Sequence, residues 1–329
     1  MFSLYAAIGP RSDIPNTQLF LKLFDSLIRP ILLYGCEIWG PYIAQPGNII
    51  CKFVNKFYSI LLGVPNSAST VGIHMELGRY PIAASVYSTM LKYWTRLISL
   101  PRSRLVAQCY WSSYDTFNMS NPWLSTIKHI IYSTRFNQIW DNHRNMSDAN
   151  IKSLSNSLPF MTKYIKKQFL DFSNYKSNLE SRLLLLKNTK EKLTLSSYIS
   201  TIKSDHTRRL FAKLRLGTLQ LEIEKGRRAD IPREFRTCKL CKKDVVEDES
   251  HFIFDCDPFT ACRDQHLAEI TNHIPFLNFM DSRSKLRYLY FSEKIPQNIL
   301  LLAGSLLEKL WNACETLSKL MPKINKILG

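Results

Sequence analysis

Apolar side chains recur at three- and four-residue intervals along most of this 329-residue chain. That is the spacing of one helix face, not the alternation of a half-buried strand. Leu19, Phe20, Leu23, Phe24 and Leu27 predict a helix over 17–28 with Asn16 at its N-cap, broken or kinked by Pro30. The apolar run 31–39 follows, with Glu37 its only charge, and then a turn at Gly40-Pro41. The pattern predicts further helices over 48–62, closed by Gly63 with Pro65 beyond, and over 69–77, stopped by Gly78. A longer one over 81–99 carries Val86, Met90, Tyr93, Trp94 and Leu97 on one side, and Pro101 ends it.

From 102 to 200 the pattern is less regular and richer in Ser and Asn, with helical stretches expected at 104–110, 123–131, 160–172, 174–186 and 193–200. Residues 163–169 interleave Lys163, Lys166 and Lys167 with Tyr164 and Phe169. That pattern fits nucleic-acid stacking, but it is more often that of an ordinary amphipathic helix. A helix from Asp205 ends at Gly217, 218–223 alternates as if extended, and helices are expected at 260–270, 282–291 and 297–320. The fold class is mainly α, in three consecutive blocks: 1–104, 105–200 and 201–329.

A 45 % hydrophobic, 12 % aromatic composition is that of a globular chain, and 329 residues suffice for two or three cores. The first eight residues lack the basic start and apolar stretch of a signal peptide, and no run reaches the roughly 20 apolar residues of a membrane span. Cys36, Cys51, Cys109 and Cys314 lie in apolar helical contexts, which suits a reducing compartment, so the expected location is intracellular, nucleus or cytoplasm. The formal charge of +17 is unevenly spread. Residues 1–200 hold 22 basic and 10 acidic side chains, 201–243 hold 13 and 5, and 244–329 hold 9 and 12. A surface so polarised suits a phosphate backbone, and RNA or DNA is the expected partner.

The polarity changes at Cys238-x2-Cys241-x9-His251-x4-Cys256. Three thiols and one imidazole are the donors a tetrahedral Zn²⁺ prefers, so a structural zinc is expected on these four residues. Cys262 and His266 are spaced to replace Cys256. The basic residues leading to the motif are the candidate nucleic-acid contacts: Arg208, Arg209, Lys213, Arg215, Arg227, Arg228, Arg233 and Arg236. At ~100° per residue the first four spread over a broad arc, opposite Leu210, Phe211 and Leu214, and are expected to stand in water. Pairing with Glu222, Glu224, Asp230 or Glu234 would absorb some of the arginines. No Asp-Asp dipeptide, phosphate-binding loop, H-E-x-x-H or nucleophile elbow occurs, and Asp255 and Asp257 flank a thiol of the motif, so no catalytic role is expected.

Taken in order, several strings resemble a known family. Leu23-Phe-Asp-Ser-Leu-Ile-Arg-Pro-Ile-Leu-Leu-Tyr-Gly-Cys-Glu-Ile-Trp-Gly40 is similar to the segment after the palm in LINE-type (non-LTR) retrotransposon reverse transcriptases. Leu61-Leu-Gly-Val-Pro65, Glu76-Leu-Gly-Arg-Tyr-Pro81 and Leu91-Lys-Tyr-Trp94 continue the likeness. Lys213-Leu-Arg-Leu-Gly-Thr218, Gly226-Arg-Arg228, Ile231-Pro-Arg-Glu234, Cys238-Lys-Leu-Cys241 and Glu247-Asp-Glu-Ser-His-Phe-Ile-Phe-Asp-Cys256 resemble the family's C-terminal knuckle and its lead-in. The likeness is weakest between 105 and 200. It implies a helical thumb-like bundle over 1–104, a helical connection over 105–200, and a zinc-knuckle domain over 201–329. It also implies a part of a target-primed reverse transcription machine, without the endonuclease, fingers and palm. The other reading of the same residues is a helical protein-interaction scaffold clipped by a structural zinc.

Overall fold

The computed structural model describes residues 16–45, 47–116, 120–186, 190, 193–241 and 243–328. The chain is mainly α, as the periodicity predicts. Among the described residues no strand forms, and the single β-type pairing is an isolated antiparallel bridge, Thr237 to Val246. No helix among them is long and apolar enough to cross a membrane.

Contacts divide the chain into two units, each built from separated stretches: 1–21, 58–78 and 176–329 in one, 22–57 and 79–175 in the other. We call these the knuckle unit and the second unit. This division by contact cuts across the three consecutive blocks read from the pattern, because packing joins residues that sequence order keeps apart.

In the second unit, Pro30 does not break the first helix. A π turn over Phe24–Ile28 precedes it, and Pro30 sits near the start of the Arg29–Leu32 helix, where its missing N–H costs little. The turn falls later, at Gly35, whose φ of 66° is the left-handed conformation glycine adopts freely. The Gly40-Pro41 turn is a 3-10 segment, Gly40–Ala44, which brings Gly40 against Val86 and Met90 of the Ile82–Ser99 helix. That helix buries Val86, Met90, Leu91 and Trp94 completely. Pro122–Ser133, capped by the Asn121 side chain on the N–H groups of Trp123 and Leu124, adds Leu124, Ile127, Ile130 and Ile131. Trp94, Tyr110, Trp111, Tyr114 and Trp140 surround His143. Its Nδ1 lies 2.5 Å from the Trp140 carbonyl, which can only accept, so Nδ1 carries the proton. Nε2 therefore accepts from the Tyr110 hydroxyl at 2.8 Å, whose oxygen in turn accepts from the Trp94 indole at 2.9 Å. The two helices expected at 160–172 and 174–186 are instead one 32-residue helix, Asp148–Leu179, with Pro159 inside it. Leu27, Ile31, Tyr34 and Ile38, on either side of the turn at Gly35, stand exposed in this unit.

The knuckle unit holds the Thr70–Leu77, Asp205–Arg215, Glu222–Arg228, Thr260–His273 and Gln297–Leu328 helices. Residues 218–223 form no strand: 218–221 are irregular, with the Leu221 backbone extended, and residues 222–223 already belong to the Glu222–Arg228 helix. The Gln297–Leu328 helix packs against Asp205–Arg215 and Thr260–His273, with Phe211, Ile270, Ala303, Leu306, Leu307 and Leu310 fully buried. Inside this core lies a polar cluster. Glu76, with no exposed surface, takes the Arg215 Nε at 2.9 and 3.1 Å and the Ser196 hydroxyl at 2.8 Å. Arg215 also donates to Glu293 at 2.8 Å and to the Tyr290 carbonyl at 2.7 Å. Lys190 donates to the Met75 and Thr194 carbonyls and lies 3.8 Å from Glu293. Two carboxylates thus face two cations, and the buried set is neutral as a whole.

Candidate metal centre

The Thr237–Val246 bridge sets up the first pair of donors. The Cys238 N–H donates to the Val245 carbonyl at 2.8 Å and the Glu247 N–H to the Arg236 carbonyl at 3.0 Å, which closes a hairpin around Cys238 and Cys241. The N–H groups of Leu240 and Cys241 face the Cys238 sulfur, so the tight turn doubles as an anion nest. The second pair comes from one π turn, His251–Asp255. The Asp248 carboxylate accepts from the N–H of Ser250 and His251 and starts that turn, and the Cys256 N–H bonds the His251 carbonyl at 2.9 Å and ends it. Arg263 then holds the Cys256 carbonyl at 2.9 Å from the next helix. Phe252 and Phe259 pack beneath, ring against ring.

These folds converge the four donors. The Cys238 and Cys256 sulfurs are 3.8 Å apart, Cys241 Sγ and His251 Nε2 are 3.6 Å apart, and all four ligand atoms lie within 4.8 Å of one another. Cys238, His251 and Cys256 are buried and Cys241 is half-buried. Such a set can hold a metal ion. Burial raises the thiol pKa of Cys238, and burial followed by the neighbouring Cys238 raises that of Cys256, while burial lowers the His251 imidazole. A cation among them reverses that pressure on the thiols, since coordination is to thiolate and neutral imidazole. Cys262 and His266 stand outside the cluster. His266 Nδ1 bonds the Cys262 carbonyl at 2.8 Å and its Nε2 accepts from Lys309 at 2.6 Å.

One polar neighbour of the donors has no signal in the sequence pattern. Glu247 is buried, with one oxygen 3.6 Å from Cys238 Sγ and the other accepting the Glu222 N–H at 2.7 Å. Only the hairpin brings it to the sulfur, because nine residues separate it from Cys238 in sequence.

The eight basic candidates divide. Arg208 and Arg215 are 5 % and 2 % exposed, so the arc expected in water is not intact. Both flank the apolar face formed by Leu210, Phe211 and Leu214, and both are covered with it. Arg208 donates to the carbonyls of Ile202 and Lys203, and Arg215 to the Glu76 cluster. Arg209, 2.8 Å from Asp205, and Lys213 are half-buried. Arg227 and Arg228 both pair with Glu224, Arg233 pairs with Asp248 at 2.8 Å, and Arg236 bonds the Ile231 and Ile223 carbonyls. Glu224 acts here as the expected pairing acid.

No protein-family model, no curated protein and no solved structure matches this chain.

Proposed function

We propose that the chain is a non-catalytic protein with a structural zinc that holds RNA or DNA through its basic surface, the role implied by its resemblance to the C-terminal part of LINE-type reverse transcriptases. The observation that carries the zinc is the spacing of the donors. A tetrahedron with Zn–S of about 2.3 Å and Zn–N of about 2.05 Å has S···S edges of about 3.8 Å and S···N edges of about 3.6 Å. Two of the six donor separations, Cys238–Cys256 and Cys241–His251, have those lengths, and all six lie within 4.8 Å. Thiolate and imidazole donors suit zinc, and four of them leave no open position for a substrate, which supports a structural metal. All eight cysteines are free thiols, which supports an intracellular setting. The formal charge of +17 supports the nucleic-acid partner.

The test is metal analysis of the purified chain, with a Cys238→Ser, Cys241→Ser variant, followed by binding to labelled RNA and DNA across a salt series. One zinc per chain, lost in the variant, and an affinity that falls steeply with salt support the reading. Equal zinc in both proteins, or no oligonucleotide binding at low salt, overturns it. The scaffold reading keeps one observation in its favour, the exposed apolar side chains Leu27, Ile31, Tyr34 and Ile38 around the turn at Gly35, since large exposed apolar groups mark protein contacts. A zinc-loaded chain that ignores oligonucleotides would favour it.

A further inference from the structure

The excess positive charge does not sit mainly where the sequence points. The second unit holds 16 basic and 6 acidic residues, and the knuckle unit 28 and 21. The smaller unit therefore carries a surplus of ten against seven, and in the knuckle unit two candidate arginines are buried while most of the others are paired. In the second unit three of the six acids are engaged, Asp25 by Arg79 and Arg29, Asp115 by Arg144, and Asp141 by the Tyr132 hydroxyl; Asp171, exposed, stands one turn beyond Lys167 on the Asp148–Leu179 helix.

The Asp148–Leu179 helix sorts its side chains by face. At ~100° per residue from Phe160, the buried Met161 and Ile165 fall near 100° and 140°. Tyr164 and Phe169, near 40° and 180°, pack on Phe136 and Tyr87. The interleaved aromatics of 163–169 are thus inward-facing, while the lysines face outward, Lys166 with its ammonium over the Tyr80 ring at 5.7 Å. Lys166, Lys163 and Lys167 fall near 240°, 300° and 340°, all exposed, and no carboxylate lies within ion-pair distance of any of them among the described residues. Phe160 stands at 0°, directly beside Lys163 and Lys167, and is 60 % exposed. An unneutralised lysine row bordered by a bare phenyl ring matches a strand of phosphates with unstacked bases.

We propose that this face of the Asp148–Leu179 helix, centred on Phe160, Lys163, Lys166 and Lys167, is the principal nucleic-acid contact, and that its partner is single-stranded. The lysines neutralise phosphates and Phe160 stacks a base. This rests on the nucleic-acid reading above and moves its main contact away from Arg208–Arg236.

The experiment uses the full chain and fluorescein-labelled oligo-U, oligo-dT and a mixed-sequence duplex, followed by anisotropy from 50 to 300 mM NaCl. The variants are Lys163→Ala/Lys166→Ala/Lys167→Ala, Phe160→Ala, and a comparison set Arg227→Ala/Arg228→Ala/Arg233→Ala. All the side chains removed are exposed or lie at the surface, and unchanged far-UV spectra and melting profiles confirm folding. For single strands each phosphate contact contributes about 0.7 to the log–log salt slope, so the lysine variant should lose about two units. Phe160→Ala should weaken single strands by roughly 5- to 150-fold and leave the duplex unaffected. Wild-type affinity and slope in the lysine variant, with loss in the arginine set, overturn this placement and leave the nucleic-acid reading intact. Equal effects of Phe160→Ala on duplex and single strands overturn the single-stranded partner. Failure of the wild type to bind any oligonucleotide overturns both readings together.

Discussion

Arg215→Met is the sharpest test of how the knuckle unit is held together. The arginine is 2 % exposed and makes four short contacts: two to Glu76, one to Glu293 and one to the Tyr290 carbonyl. Methionine fills much of the same volume, so the change removes charge and hydrogen bonds with little cavity. Glu76 then keeps the Ser196 hydroxyl but loses its cation, in a place with no exposed surface. Removing one partner of a buried pair costs about 3–5 kcal/mol. Against a total of roughly 5–15 kcal/mol, that raises the unfolded fraction a few hundred- to a few thousand-fold. The assay is urea unfolding by far-UV circular dichroism, with hydrogen exchange of the 70–77 and 205–215 segments to assign the loss to this unit. Glu76→Gln in the same background should recover part of the loss, because the remaining buried charges, Glu293 and Lys190, balance. A cost below about 1 kcal/mol, or a double variant no better than the sum of the single changes, would refute the view that these charges are interdependent.

Four other outcomes are expected. Burial lowers the His143 pKa, with Arg144 acting in the same direction and the Trp140 carbonyl opposing it. Its folded value lies below the unfolded value of about 6.5, so its contribution is complete above that pH and is lost as pH falls through the folded value. Near-UV signals of the surrounding tryptophans should report weakening below about pH 6.5, and His143→Gln should flatten the slope between pH 7 and 5. Gly78→Ala should cost more than about 1 kcal/mol in a urea titration, because Gly78 has φ 62° and a Cβ there would meet the Thr194 backbone. Asn121→Ala should cost about 1 kcal/mol through the lost cap on Trp123 and Leu124, read the same way. Chelation of bound metal should loosen the 236–259 segment, measured as faster hydrogen exchange there, with the second unit unchanged.

Features that depend on near neighbours could be read directly from the chain. Ser69 and Gly78 bracket the Thr70–Leu77 helix where expected, and the knuckle donors meet as their spacing predicts. Features that depend on distant partners could not. Nothing local marks Arg215 as buried; Glu76 and Glu293, 139 and 78 residues away, decide it. The Ser- and Asn-rich start of the Asp148–Leu179 helix has weak intrinsic propensity, and burial of Leu154, Met161 and Ile165 overrides it. Pro30 misled although its surroundings are local: it sits in the first turn of the Arg29–Leu32 helix, and the chain turns only at Gly35.

The Glu76–Arg215 pair also sets an order of events during synthesis. At roughly 5–20 residues per second, the 139 residues between them take about 7 to 28 seconds to make. Until Arg215 leaves the ribosome, Glu76 has no permanent cation, and closing the core around it would strand a bare carboxylate. The Thr70–Leu77 helix must therefore wait, hydrated, while the whole of 79–175 is produced and free to fold. The knuckle unit begins before the second unit in the chain and is completed after it. A nascent chain stalled short of residue 215 should be protease-sensitive at 58–78 even where 79–175 is already resistant.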